Sequence, residues 1–204
     1  MKIRILKKNK DNLNVYMVKN SNISYEELEE LLNTYDKVII PSLDWENKSI
    51  RSLPDNFGNL EVEGNLNLSI NKLTSLPESF GNLKVGRDLI LSFNQLASLP
   101  ESFGNLEVKG HLLLSHNQLT SLPESFGNLK VRRGLYLGNN KLTSLPESFG
   151  NIKVGRTLWL RKNPWVIDTN FVDFCEKYEG ELVLDKKVEK EINRLIKLKE
   201  WEEQ

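Results

Sequence analysis

The octapeptide SLPESFGN occurs four times without change, at residues 75–82, 98–105, 121–128 and 144–151, and a looser copy, SLPDNFGN, sits at 52–59. Successive copies are 23 residues apart, so Pro54, Pro77, Pro100, Pro123 and Pro146 share one phase, as do Phe57, Phe80, Phe103, Phe126 and Phe149. Outward from these, the other half of each unit reads LNLSIN, LILSFN, LLLSHN, LYLGNN and LWLRKN, ending on Asn71, Asn94, Asn117, Asn140 and Asn163. A fixed period of this size marks a chain of stacked supersecondary units. A single unit cannot bury its leucines, whereas stacked coils share one continuous core. The 34 leucines among 204 residues follow from that demand.

Each unit has a physical reading. Alternate residues of a strand face opposite sides, so Leu89 and Leu91 point inward while Ile90 points out. Each final asparagine stands where the strand must turn, and its amide suits a buried ladder of bonds to backbone groups of its own and the neighbouring coil. The proline fixes an extended or turn conformation without offering an N–H. The phenylalanines are expected to stack as a spine inside the convex side, and the glycines to serve turns.

The pattern L-x-L-x-x-N-x-L-x-x-L-P-x-x-F-G-N-L resembles the leucine-rich repeat family. The resemblance implies an α/β fold, a right-handed solenoid with a parallel concave β-sheet, an N-terminal ββα cap and a C-terminal helical cap. The array would occupy residues 37–163 as about five to six coils, between caps at 1–36 and 164–204. One departure stands out. The family usually has a leucine three residues before the L-x-L pair, where this chain has Glu63, Gly86, Lys109, Arg132 and Gly155. Val62, Val85, Val108, Val131 and Val154, one residue earlier, are expected to fill the gap, and the departure bears on how the chain enters each strand.

A solenoid must close its two ends. Residues 2–8 and 13–18 read as strands joined by a turn at Asn9–Asn12. A helix should follow, with Ser24 and Glu27 at capping-box spacing and Ile23 and Leu28 as a hydrophobic staple. The first coil is atypical: Leu43 and Trp45 take the leucine positions, and Lys48 replaces the ladder asparagine. After Pro164 and Trp165, a helix over 169–179 places Phe171, Phe174, Cys175 and Tyr178 on one face, and Gly180 ends it. A strand at Leu182–Leu184 and a charged helix from Lys186 follow, with Asp185 as the expected N-cap. The narrow stripe of Val188, Ile192 and Leu195 lays that helix on the end of the stack; the competing arrangement projects it toward a partner.

Composition excludes several classes. Lysine and arginine total 28 against 28 aspartate and glutamate, which argues against a generic polyanion binder. Cys175 stands alone, so no internal disulfide framework exists, and a reducing, cytoplasmic or intracellular setting is expected. No apolar run approaches a membrane span, and the basic start has no signal-type apolar core. His111 and His116 lack zinc spacing, no phosphate loop is present, and Cys175 reads as a buried thiol. The acidic column Asp55, Glu78, Glu101, Glu124 and Glu147 reads as exposed, splayed side chains. No catalytic residue, metal site or cofactor is expected.

Function is legible where the coils disagree. The residues between the paired leucines run Asp44, Asn67, Ile90, Leu113, Tyr136, Trp159, and those before the asparagine position run Asn47, Ile70, Phe93, His116, Asn139, Lys162. In the family these positions line the concave sheet. Ile70, Ile90, Phe93, Leu113, His116, Tyr136 and Trp159 would form a contiguous patch, rimmed by Arg87, Arg133, Arg156 and Arg161, with the aromatic and arginine composition of a binding hot spot. Charge should run from Asp44 and Glu46 in the first coil to Arg156, Arg161 and Lys162 in the last. The leading expectation is a non-catalytic module that binds a protein partner through this face. The alternatives are an assembly component of a larger particle, or the substrate-recognition part of a ubiquitin-ligase-type effector. For the latter, about 40 residues follow the array, and Cys175 in FCEKYE has no acid two residues on. Nucleic-acid binding through Tyr136, Trp159 and the arginines is the weakest reading.

Overall fold

The computed structural model describes residues 4–6, 13–19 and 21–202; the turn expected at Asn9–Asn12 lies outside them. Strands β1 (Arg4–Leu6) and β2 (Val15–Met17) pair antiparallel and are followed by α1 (Tyr25–Thr34). Ser24 and Glu27 form the capping box in both directions, and Ile23 and Leu28 are buried on either side of it. Then come β3 (Lys37–Ile40) and β4 (Leu43–Asp44). The coils contribute β5 (Leu60–Val62), β6 (Leu66–Asn67), β7 (Lys84–Val85), β8 (Leu89–Ile90), β9 (Glu107–Val108) and β10 (Leu112–Leu113). They continue as β11 (Lys130–Val131), β12 (Leu135–Tyr136), β13 (Lys153–Val154) and β14 (Thr157–Trp159). The chain closes with α2 (Thr169–Lys177), β15 (Glu181–Val183) and α3 (Lys186–Glu202).

Where one parallel sheet was expected, the described residues form two. The L-x-L strands build a seven-stranded sheet in the order β15-β14-β12-β10-β8-β6-β4, and the valine strands an eight-stranded one, β1-β2-β3-β5-β7-β9-β11-β13. The valines do more than fill a gap. Val62, Val85, Val108, Val131 and Val154 stand in register as a largely buried row. This second set of short strands turns each coil toward its L-x-L strand.

The asparagine ladder forms as its chemistry demands. Asn117 Nδ2 donates to Leu91 O at 3.0 Å and to Leu114 O at 3.0 Å, while its Oδ1 accepts from Leu96 N at 3.1 Å. Asn94, Asn140 and Asn163 repeat the set one coil earlier or later. Each buried amide is thus satisfied on both sides, which removes the penalty of burying it. Asn71 makes the same set with Trp45 O, Leu68 O and Ile50 N and also accepts from Lys48 N, where the ladder ends for want of a further asparagine.

On the opposite side the five phenylalanines are fully buried and stacked, with successive centroids 6.0, 6.0, 6.0 and 5.9 Å apart. Hydrogen-bonded strands lie about 4.8 Å apart. The coils therefore fan out on the phenylalanine side, and the L-x-L sheet takes the inner side of the bend. The glycines of this half lie within 3-10 turns, but no described glycine has positive φ, so left-handed torsion is not what they supply. They permit close approach: a Cβ on Gly104 would stand 1.9 Å from Ser125 O of the next coil, and Gly58, Gly81 and Gly127 repeat the contact.

At the C-terminal end Phe174 meets the last spine ring, Phe149, edge-on at 5.1 Å. The α2 helix stops at Lys177, with Tyr178 as its cap, rather than running to 179, and β15 falls one residue earlier than expected. Ile192 is buried, Val188, Leu195 and Ile196 pack on the core, and Lys199 reaches Asp173 and Glu176 of α2. α3 therefore lies against the stack. Asp185 precedes that helix, but its side chain is spent elsewhere: Oδ2 accepts from Lys162 N at 2.6 Å. It supplies the acceptor that a further coil would have offered.

Candidate partner-binding site

The outward residues of the L-x-L sheet fall into two columns with different backbones. In the strands, Asn67, Ile90, Leu113, Tyr136 and Trp159 stand in register from coil to coil, half-buried. In the second column Asn47, Ile70, Phe93, His116, Asn139 and Lys162 all have φ between 55 and 58°. The N–H of Ile70, Phe93 and His116 makes the last rung to the next coil, to Ser92 O, Ser115 O and Gly138 O. The chain must then reverse so that the following asparagine points inward, and a left-handed residue does this. Asparagine tolerates that conformation best, whereas other L-residues spend about 1–2 kcal/mol in it, and a β-branched one is a marked outlier. Asn47 and Asn139 follow the cheap solution. Ile70 and Phe93 do not, and they are 46% and 53% exposed.

The aromatic residues come together in two groups. Phe93 and His116 stack at 4.2 Å between centroids. Tyr136 lies 6.4 Å from Trp159 and 5.7 Å from His111, and the Arg161 guanidinium sits 5.7 Å over the Trp159 ring. The floor under the larger rings is glycine. A Cβ on Gly134 would come within 2.7 Å of the Tyr136 ring, and one on Gly138 within 2.9 Å of the Trp159 ring. Neighbouring coils carry Asp88 or His111, and Ser92 or Ser115, at those two positions. Tyr136 and both glycines thus occur in one coil, and Trp159 stands beside them from the next. His111, Gly134 and Gly138 are parts of the site that sequence reasoning missed; the loss of serine at 138 beside the gain of tyrosine at 136 was the available signal.

The arginines divide. Arg133 and Arg156 are exposed in adjacent coils, joined by the bond from Arg156 N to Arg133 O. Arg87 stands two coils away, behind Gly110. Arg161 is committed to its own chain, with Nε 3.5 Å from Asp185. The charge gradient is correspondingly softened at its basic end by Asp185 and by Glu181, which accepts from Thr157 Oγ1.

The Leucine Rich Repeat family model matches residues 111–129 and 133–152, the two coils that carry His111, Tyr136 and their ladder asparagines. These two coils are leucine-rich repeats. Among solved structures, the chain is similar to an LRR protein of Leptospira interrogans (22% identity, 87% of this chain, 56% of that one, TM-score 0.38). It is also similar to YopM from Yersinia enterocolitica (23% identity, 71% of this chain, 30% of that one, TM-score 0.38). It spans little more than half the length of the first and under a third of the second. No curated protein matches it in sequence. Leucine-rich repeats generally mediate protein–protein interaction.

Among the described residues no three His, Cys, Asp or Glu side chains gather as a metal site, and no helix is long and apolar enough to cross a membrane. The acidic column is exposed throughout. Cys175 is half-buried rather than fully buried, and this desolvation pushes its thiol up to about 12, so it is almost wholly protonated at neutral pH and a poor nucleophile. Alkylation by iodoacetamide at pH 8 should therefore be slow in the folded protein and fast in denaturant; rapid reaction of the native protein would contradict the burial. The linkage has a definite sign. An unfolded thiol ionises near its ordinary value while the folded one does not, so this group lowers stability as pH rises from about 9 toward 12.

Proposed function

We propose that this protein is a non-catalytic binding module whose partner, a protein, docks on the inner face of the L-x-L sheet across Ile70, Phe93, His116, Tyr136 and Trp159. The observation that carries the reading is the second column. Folding alone favours asparagine at a left-handed position, yet Ile70 and Phe93 hold exposed apolar side chains there at a cost in backbone energy. Strain retained at exposed positions is characteristic of functional surfaces. Around them Ile90 and Leu113 supply apolar continuity, and Arg133 and Arg156 supply charge at the rim, the arrangement in which aromatic and arginine anchors carry most of the binding energy.

The test separates folding from binding by their opposite signs. Ile70→Asn should leave thermal stability unchanged or raise it by up to about 1 kcal/mol, since relief of the left-handed backbone offsets the lost apolar contact. Ile70→Asn with Phe93→Asn should also weaken capture of the natural partner at least tenfold. Marked destabilisation with binding intact would show that these side chains serve the fold.

A further inference from the structure

The two sheets end differently. Strand β15 pairs with β14, setting Leu182 beside Leu158, and extends the seven-stranded sheet. The chain reaches β15 through α2 and so leaves empty the place where another valine strand would lie; β13 is the last strand of the other sheet. In the preceding coil Leu129 O accepts from Lys153 N and Val131 O from Gly155 N. The equivalent carbonyls of the last strand, Ile152 O and Val154 O, receive no bond from any described residue. Beside this edge a groove of about 1110 Å³ runs between β13 and α2, lined in part by Val131, Val154, Phe149, Phe174 and Tyr178. The Tyr178 hydroxyl is buried and has no hydrogen-bond partner among the described residues.

Charge along this sheet carries the same message. The residues before the valines alternate across it in register, Glu61 beside Lys84, Lys84 beside Glu107, Glu107 beside Lys130. Opposite charges side by side stabilise a sheet, and like charges do the reverse. From Glu61 the alternation holds up to the last strand, where Lys153 stands beside Lys130. Lys153 is exposed and makes no ion pair among the described residues. A strand laid on this edge with a carboxylate next to Lys153 restores the pattern, satisfies both carbonyls and fills the groove.

We infer that the β13 edge binds an extended acidic segment of a partner protein by strand addition, parallel to β13. A carboxylate of that segment lies opposite Lys153, and an aliphatic side chain opposite Val154 enters the groove. Main-chain bonds supply affinity in this mode, and alternate side chains supply selectivity. The surface is separate from the Tyr136–Trp159 face and stands without it.

The probe is a fluorescein-labelled, blocked pentapeptide, Val-Glu-Val-Glu-Val, titrated into the full chain and followed by anisotropy. Saturable binding that weakens with added salt is expected. N-methylating the peptide amides that face Ile152 O and Val154 O should weaken it at least tenfold with the protein unaltered. Lys153→Glu should weaken the acidic peptide at least tenfold and transfer preference to Val-Lys-Val-Lys-Val, a reversal that mere misfolding does not produce. Absence of saturation, or equal binding of the N-methylated peptide, overturns the inference. So does a concentration-dependent dimer in sedimentation that Lys153→Glu abolishes, because the edge would then belong to a second copy.

Discussion

Gly104→Ala is expected to destabilise the protein by about 3 kcal/mol, lowering its melting temperature by roughly 6–12 °C, while Gly150→Ala leaves it nearly unchanged. Both glycines occupy the same place in the same octapeptide, so helix propensity and unfolded-state entropy cancel in the comparison. What differs is the neighbour. A methyl group on Gly104 would lie 1.9 Å from Ser125 O and 2.4 Å from the carbon bearing it, and both are backbone atoms that cannot rotate away. Relief requires prising apart two coils whose phenylalanines stack at 6.0 Å. Gly150 belongs to the last coil, where a Cβ would meet nothing within 4 Å. Thermal melts of the two variants decide the matter; equal losses would mean that this glycine column serves local conformation instead of coil-to-coil contact.

The second large effect is on binding. Tyr136→Ala with Trp159→Ala should cost about 2 kcal/mol or more per ring, roughly a thousand-fold in affinity together, measured by calorimetry against the partner that the wild type captures. The stability cost should be smaller, about 1–2 kcal/mol, because the half-buried rings lie over Gly134 and Gly138 and touch one another. Refilling the floor is a sharper variant. Gly138→Ser restores the residue of the preceding coils but displaces the Trp159 ring, so it should weaken binding while all ring atoms remain. Undiminished affinity in the double variant would exclude this face as the docking surface.

The parts of this architecture that were legible in the sequence are those in which one residue type has one physical task. An asparagine recurring after a strand has few roles except to satisfy backbone groups inside the coil, and a phenylalanine recurring at the same phase must stack on its copies. The second sheet was not legible, because a strand as short as Lys84–Val85 carries no alternation to recognise. The glycine column was visible and lies in turns, but its close approach to the next coil was not legible, since sequence does not distinguish a residue chosen for its torsion angles from one chosen for lack of a side chain. In the candidate site, the residues facing outward were found by comparing coils. Their left-handed backbone was not, because isoleucine and phenylalanine are among the last residues expected there, and only Asn47 and Asn139 hinted at it. Asp185 keeps its place at the start of α3, its carbonyl accepting from Glu189 N at 3.0 Å, but its carboxylate has a second task that its position did not announce. Its place before a helix suggested a cap, while the chain needed an acceptor for Lys162 N one coil away.

The asparagine ladder has a consequence for how such a protein changes over generations. Each inner amide bonds to equivalent atoms one coil away, and those atoms are the same wherever in the array it stands. Nothing in the fold therefore sets the number of coils. A chain that gains or loses one 23-residue unit keeps every kind of internal bond it had, provided its two end structures remain. Copy number and the identity of the displayed residues are free to vary independently of foldability, so the reach of the recognition surface can evolve by duplication and its chemistry by point substitution.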